Sequence, residues 1–149
     1  MNMKRNLIYF LPLLMLLAAG CFGNKNQAPA PSVPIGTFKG QFFGIHTSIK
    51  NNLDTLKANL QLVLSPGAAF AVTGDTSTVH AGSYGNFGIT SNSTNYINFV
   101  DKTFPISGNA SKIHLSGTYQ YYYDGTTFQM VGTSVMDTLI LEYKMTRVN

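Results

Sequence analysis

The chain has 149 residues, with 10 Lys and Arg against 6 Asp and Glu, a formal net charge of +4 and only 11% charged residues. That length suits one domain with its own core and leaves no room for two, and one cysteine in the whole chain cannot build a disulfide framework. Gly, Thr, Ser, Asn, Phe and Tyr are abundant at the expense of strong helix formers, which favours strands and tight turns.

Lys4 and Arg5 precede an apolar run from Leu7 to Ala19, and Ala18, Ala19 and Gly20 close it with small residues. Charged, apolar and small segments in that order form a secretory signal peptide. The run has 13 residues, and at about 1.5 Å per helical residue it rises roughly 20 Å, short of the roughly 30 Å of a bilayer core. Residues 1–20 are therefore expected to be cleaved. Without Lys4 and Arg5 the 10 basic residues become 8 against 6 acidic, or +2. The remaining basic residues are scattered singly, so no nucleic-acid partner is expected.

Leu17-Ala18-Ala19-Gly20-Cys21 resembles the lipobox of bacterial lipoproteins, although Ala18 stands where that group more often has Leu. The resemblance implies that Cys21 is diacylated on sulfur, becomes the new N-terminus and is N-acylated. The thiol then carries lipid and is neither nucleophile nor metal ligand. Each buried acyl methylene contributes about 0.8 kcal/mol, so several chains on Cys21 anchor the protein without a transmembrane helix. Phe22 occupies the place where an inner-membrane retention signal usually has Asp, which implies a cell-envelope protein at the outer membrane. Residues 21–35 then form an acylated, proline-rich linker. Pro29, Pro31 and Pro34 make Asn24 to Pro34 a semi-rigid spacer of roughly 30 Å at about 3.1 Å per residue.

The domain is expected over residues 36–149. Gly36 to Ser48 is a first, irregular strand-like run. Thr55 to Leu64 alternates, with Leu56, Ala58, Leu60, Leu62 and Leu64 on one face, and ends at Ser65-Pro66-Gly67. Ala69 to Gly74, Val79 to Thr90 and Tyr96 to Val100 are less regular. Ile113, Leu115, Gly117, Tyr119, Tyr121 and Tyr123 share the next apolar face. Asp124-Gly125 then separates them from Phe128 and Met130, a hairpin signal. Leu139, Leu141, Tyr143 and Met145 form the last face. Eight strands joined mostly by short loops predict an all-β domain, a single eight-stranded antiparallel up-and-down barrel, with a two-sheet β-sandwich as the alternative. A barrel of that size is either filled by side chains or holds one small ligand.

This meander resembles the lipocalin-like, or calycin, group of bacterial lipoproteins. Gly36-Thr37-Phe38 stands where that group often has Gly-x-Trp, and Arg147 where lipocalins have a late arginine that packs across the tryptophan. The chain has no tryptophan, so Phe38 would take the aromatic role.

Chemistry-bearing residues give weaker signals. His46, His80 and His114 are evenly spaced in sequence, but no cysteine or paired carboxylate accompanies them, and no metal or cofactor is expected. Tyr119, Tyr121 and Tyr123 are expected in the core, with Tyr122 on the sheet exterior. Five of the six acids sit at strand ends or turns, and Glu142 lies on one face with Lys144. No nucleophile elbow, phosphate loop or paired-carboxylate motif occurs, so no enzymatic activity is expected. Leu53-Asp54-Thr55-Leu56 and Met136-Asp137-Thr138-Leu139 each open a strand and resemble O-glycosylation triplets of some bacterial lineages.

The expected function is that of a lipid-anchored envelope binding protein holding a small apolar or amphipathic ligand inside the barrel, lined by Leu60, Leu62, Tyr119, Tyr121, Phe128, Leu141 and Tyr143. The alternative is an interaction or scaffold domain with a solid core and an envelope protein as partner. A hydrolase would need a cleft that joins one of the histidines to an acid.

Overall fold

The computed structural model describes residues 33–47, 53–91, 94–107, 110–133 and 139–148. The signal segment, Cys21, Pro29 and Pro31 of the spacer, and the Asp137-Thr138 pair lie outside the described residues.

Eight strands follow in chain order: β1 Gly36–Thr47, β2 Leu53–Leu64, β3 Ala69–Gly74, β4 Tyr84–Ser91, β5 Asn95–Asp101, β6 Gly117–Tyr123, β7 Thr127–Thr133 and β8 Leu139–Val148. Each pairs antiparallel with the next, and β1 also pairs with β8, so the sheet closes on itself. Closure satisfies both edges of a meander that would otherwise expose unpaired backbone. The fold is thus all-β and compatible with a lipocalin-like barrel, and closure rules out the two-sheet sandwich. No helix occurs among the described residues.

Alternation decides what faces inwards. Ala58, Leu60, Leu62 and Leu64 of β2, Tyr119 and Tyr121 of β6, Phe128 and Met130 of β7, and Leu141, Tyr143 and Met145 of β8 are all buried. Phe38 and Phe42 join them from β1, Ile97 and Phe99 from β5. Rings interlock across the barrel: Phe42 and Tyr143 have centroids 4.9 Å apart, and Phe38–Phe128 and Phe70–Phe99 each 5.0 Å. Eight strands enclose just enough width for such side chains, and here they fill it. Outwards point Lys39, Gln41, Asn59, Thr73, Gln120, Gln129 and Lys144, all exposed. The outer wall mixes these polar residues with exposed Tyr84, Tyr96, Val100, Tyr122, Val131 and Ile140.

The seam between first and last strands brings Phe38 and Arg147, the two residues on which the lipocalin resemblance rests, into register. Arg147 is the register partner of Phe38, its Nη1 donates to the Tyr123 hydroxyl at 3.2 Å, and its guanidinium lies over Gly36. A Cβ at Gly36 would meet Arg147 Nε at 3.1 Å, and φ there is +137°, so glycine suits both the space and the backbone.

The structure departs from the sequence expectation in three places. Leu56, assigned to the buried face of β2, is 39% exposed. The reason is that β3 ends at Gly74, opposite Leu60, so it pairs only with the second half of β2. The run Val79 to Thr90 does not form one strand, since β4 begins at Tyr84. Ile113 to Ser116 likewise precede β6, which opens at Gly117 with φ of +90°. The two displaced runs meet each other instead: His80 bridges Ile113 in parallel, the Ala81 N–H donates to the Ile113 carbonyl at 2.8 Å and the Ile113 N–H to that of Val79 at 3.0 Å. These long connections, 75–83 and 102–116, lie at one end of the barrel, and the short turns after β2 and β6 at the other.

Candidate functional site

A cleft of about 550 Å³ opens at the long-connection end, between the start of β6, the end of β7, the start of β8 and the connection 102–116. That volume falls within the range of about 300–1,000 Å³ typical of small-molecule sites. Its apolar border is Phe104, Ile113, Leu139 and Leu141, and its polar border includes Lys112, His114, Ser116 and Thr118. Two other depressions, of about 550 and 220 Å³, lie on the outer wall of the barrel over strand residues such as Lys39, Gln61, Gln129 and Val131.

Leu60, Leu62, Tyr119, Tyr121, Phe128, Leu141 and Tyr143 all lie inside the barrel and are buried. They pack on one another and on their neighbours, as the Tyr119–Tyr143 and Tyr121–Phe128 ring pairs at 5.7 and 5.9 Å illustrate. Of the seven, Tyr119 and Leu141 border the cleft. The protein's own rings therefore occupy the barrel interior, and the open space is at the mouth.

A polar line runs from the mouth into this core. His80 is fully buried. One ring nitrogen, Nδ1, lies 2.6 Å from the Ala81 carbonyl, which only accepts, so Nδ1 carries the proton and donates. Burial lowers the His80 pKa from 6.5 to about 4, so the ring is neutral and Nε2 accepts from the Tyr143 hydroxyl at 2.9 Å. Burial also raises Tyr143 well above the ordinary tyrosine range. With its proton committed to His80, the Tyr143 oxygen is an acceptor for its neighbour Tyr119. Yet the Tyr119 hydroxyl makes no hydrogen bond. The Tyr143 hydroxyl and Ser116 backbone are near enough to ease its ionisation, but neither reaches bonding geometry, and burial pushes the phenol up to about 12. Such an orphaned donor is uncommon in a buried position.

Gly132 makes room for that ring. A Cβ there would sit 2.7 Å from Tyr119 Cδ1, so only glycine in β7 lets Tyr119 lie flat against the strand at the cleft wall.

His114 borders the cleft, and its Nδ1 donates to Asp101 Oδ2 at 2.7 Å. The Asp101 side chain is fully covered. It also accepts from the Thr103 N–H at 2.8 Å and the Thr103 hydroxyl at 2.7 Å, and these bonds hold its pKa below the usual carboxylate range despite burial. The histidine–acid junction required of a hydrolase is thus present at a cleft. Its three bonds tie Thr103, near the start of the connection 102–116, and His114, near its end, to Asp101, so it fastens that connection to β5. His46 lies opposite Asp54 across β1 and β2. No group of three His, Cys, Asp or Glu side chains converges as a metal site among the described residues.

Sequence reasoning did not single out Phe104, Lys112, Ser116 or Thr118 as ligand-facing. The available signal was length: 15 residues between β5 and β6 exceed the usual hairpin connection, and long loops in compact domains are commonly functional. No protein-family model, curated protein or solved structure matches the chain.

Proposed function

We propose that the chain is a lipid-anchored binding protein of the cell envelope whose barrel presents a small amphipathic ligand site at its mouth. An eight-stranded barrel of this kind can bind small ligands. One observation carries the choice of place: the open space lies at the mouth, in a cleft bordered by Phe104, Ile113, Leu139 and Leu141, whereas the interior is filled.

The anchoring half rests on the Lys4-Arg5, apolar and Leu17 to Cys21 order in the sequence, and the outer-membrane side on Phe22. Partners on this view are the bilayer, through lipid on Cys21, and the ligand.

Binding is tested with N-phenyl-1-naphthylamine, an uncharged dye that brightens in apolar surroundings, and the Cys21→Ser chain purified without detergent. Saturable binding near one dye per chain, lost in Ser116→Trp, is the expected outcome. Absence of saturable binding, or binding indifferent to Ser116→Trp, would refute the site.

The filled interior and the exposed apolar residues Phe104 and Ile106, 51% and 105% exposed, favour a second role, as an interaction domain for an envelope protein. Crosslinking on intact cells from these two positions separates the roles. A single protein adduct lost with Ile106→Ser would support the interaction domain.

A further inference from the structure

The charges around the cleft define the chemical class of its ligand, on the premise that the cleft is the binding site. Among the described residues at its border, Lys112 is the one permanently charged side chain, and no carboxylate joins it. The nearby acid, Asp101, is covered, and its oxygens are engaged by Thr103 and His114.

Lys112 Nζ donates to the Thr76 carbonyl at 2.9 Å. An ammonium has three N–H donors, so two remain, and the carbonyl bond keeps the head at the border instead of out in solvent. The remaining border is largely apolar, with Phe104, Ile113, Leu139 and Leu141. Among the described residues, a cationic ligand would meet Lys112 with no border carboxylate to offset it, whereas an anionic one would give the ammonium a counter-ion. We propose that the cleft takes a single-chain amphiphile with an anionic headgroup, a carboxylate or a phosphate monoester. Lys112 holds the head, and Phe104, Ile113 and Leu139 cover the chain.

Calorimetric titration of the Cys21→Ser chain with decanoate, decyl phosphate, decanol and decyltrimethylammonium, each below its micelle concentration, tests this. Both anions should bind about five-fold or more tighter than decanol, the gain of a partly exposed charge pair, and the cation more weakly than decanol. Read as the ratio of anion to decanol affinity within one variant, Lys112→Gln should bring the ratio to about one and Lys112→Arg should keep it, and a circular dichroism spectrum matching the parent reports intact folding. The ratio of decanoate to decyl phosphate identifies the headgroup. If decanol equals the anions, or discrimination survives Lys112→Gln, the headgroup assignment is wrong although the cleft still binds amphiphiles. Failure of all four probes would remove the binding site itself.

Discussion

His80 and Tyr143 satisfy each other in the buried core, and two neighbouring substitutions should separate a made bond from an unmade one. Tyr143→Phe leaves the buried Nε2 of His80 without its donor, a loss of about 1–3 kcal/mol in urea unfolding. Tyr119→Phe removes a hydroxyl that has no partner, so stability should hold or rise by about 1 kcal/mol. A large loss there would show that the hydroxyl is bonded after all. His80 also sets an acid limit. Its pKa falls from 6.5 unfolded to about 4 folded, so the unfolded chain takes up the proton first as pH drops. The stabilisation is complete above pH 6.5 and fades as pH falls towards 4, by at most about 3 kcal/mol. Asp101, held below the usual carboxylate range, adds to the loss in more acid solution, where its folded form must finally protonate. Unfolding midpoints across this range, compared with His80→Gln, should show a flatter profile in the variant.

At the scale of elements, strict alternation in the sequence carried over where strands had a neighbour on each side, and failed where the ladder was cut short. β8 matches its pattern from Leu141 to Met145. Leu56 is exposed because β3 stops at Gly74, and nothing in residues 53–64 signals the length of the strand that will lie beside them. Leu115 is fully buried, as its period-two position implies, yet it belongs to a connection, since burial and ladder hydrogen bonding are separate properties. The Ala81 and Ile113 amides, each bonded across the two long connections, should resist hydrogen exchange far longer than those of the exposed residues Ser77 and Thr78, and fast exchange at all four would mean that the connections do not pair. Gly132→Ala places a methyl within 2.7 Å of the Tyr119 ring, which Phe99 and Tyr143 box in. The expected cost is about 1–3 kcal/mol, with weaker dye binding because the ring must shift at the cleft wall.

At the scale of the whole molecule the barrel was legible as a pattern and the cleft at its mouth was not, while the envelope address read from residues 1–21 is a proposal that rests on sequence order. The seven residues expected to line the interior are buried there, and with Phe38 and Phe42 from β1 they pack it: Phe38, Phe42, Tyr119, Phe128 and Tyr143 are large enough to fill the barrel. The cleft depends on where the connection 102–116 settles, fixed by contacts of His114 with Asp101 and of Lys112 with Thr76 that span long sequence distances. The proposed lipid anchor makes its own demand. Cys21→Ser should move the protein from the membrane to the soluble envelope fraction, and a variant still membrane-bound and acylated would contradict the lipobox assignment. The location of the ligand site is tested most directly by a nuclear magnetic resonance titration of the ¹⁵N-labelled Cys21→Ser chain with N-phenyl-1-naphthylamine, following every backbone amide. Saturable shifts confined to the cleft border, at Phe104, Lys112, Ser116, Thr118 and Leu139, are expected. Shifts centred on the outer wall at Lys39, Asn59 and Thr73, or none at saturating dye, would contradict it.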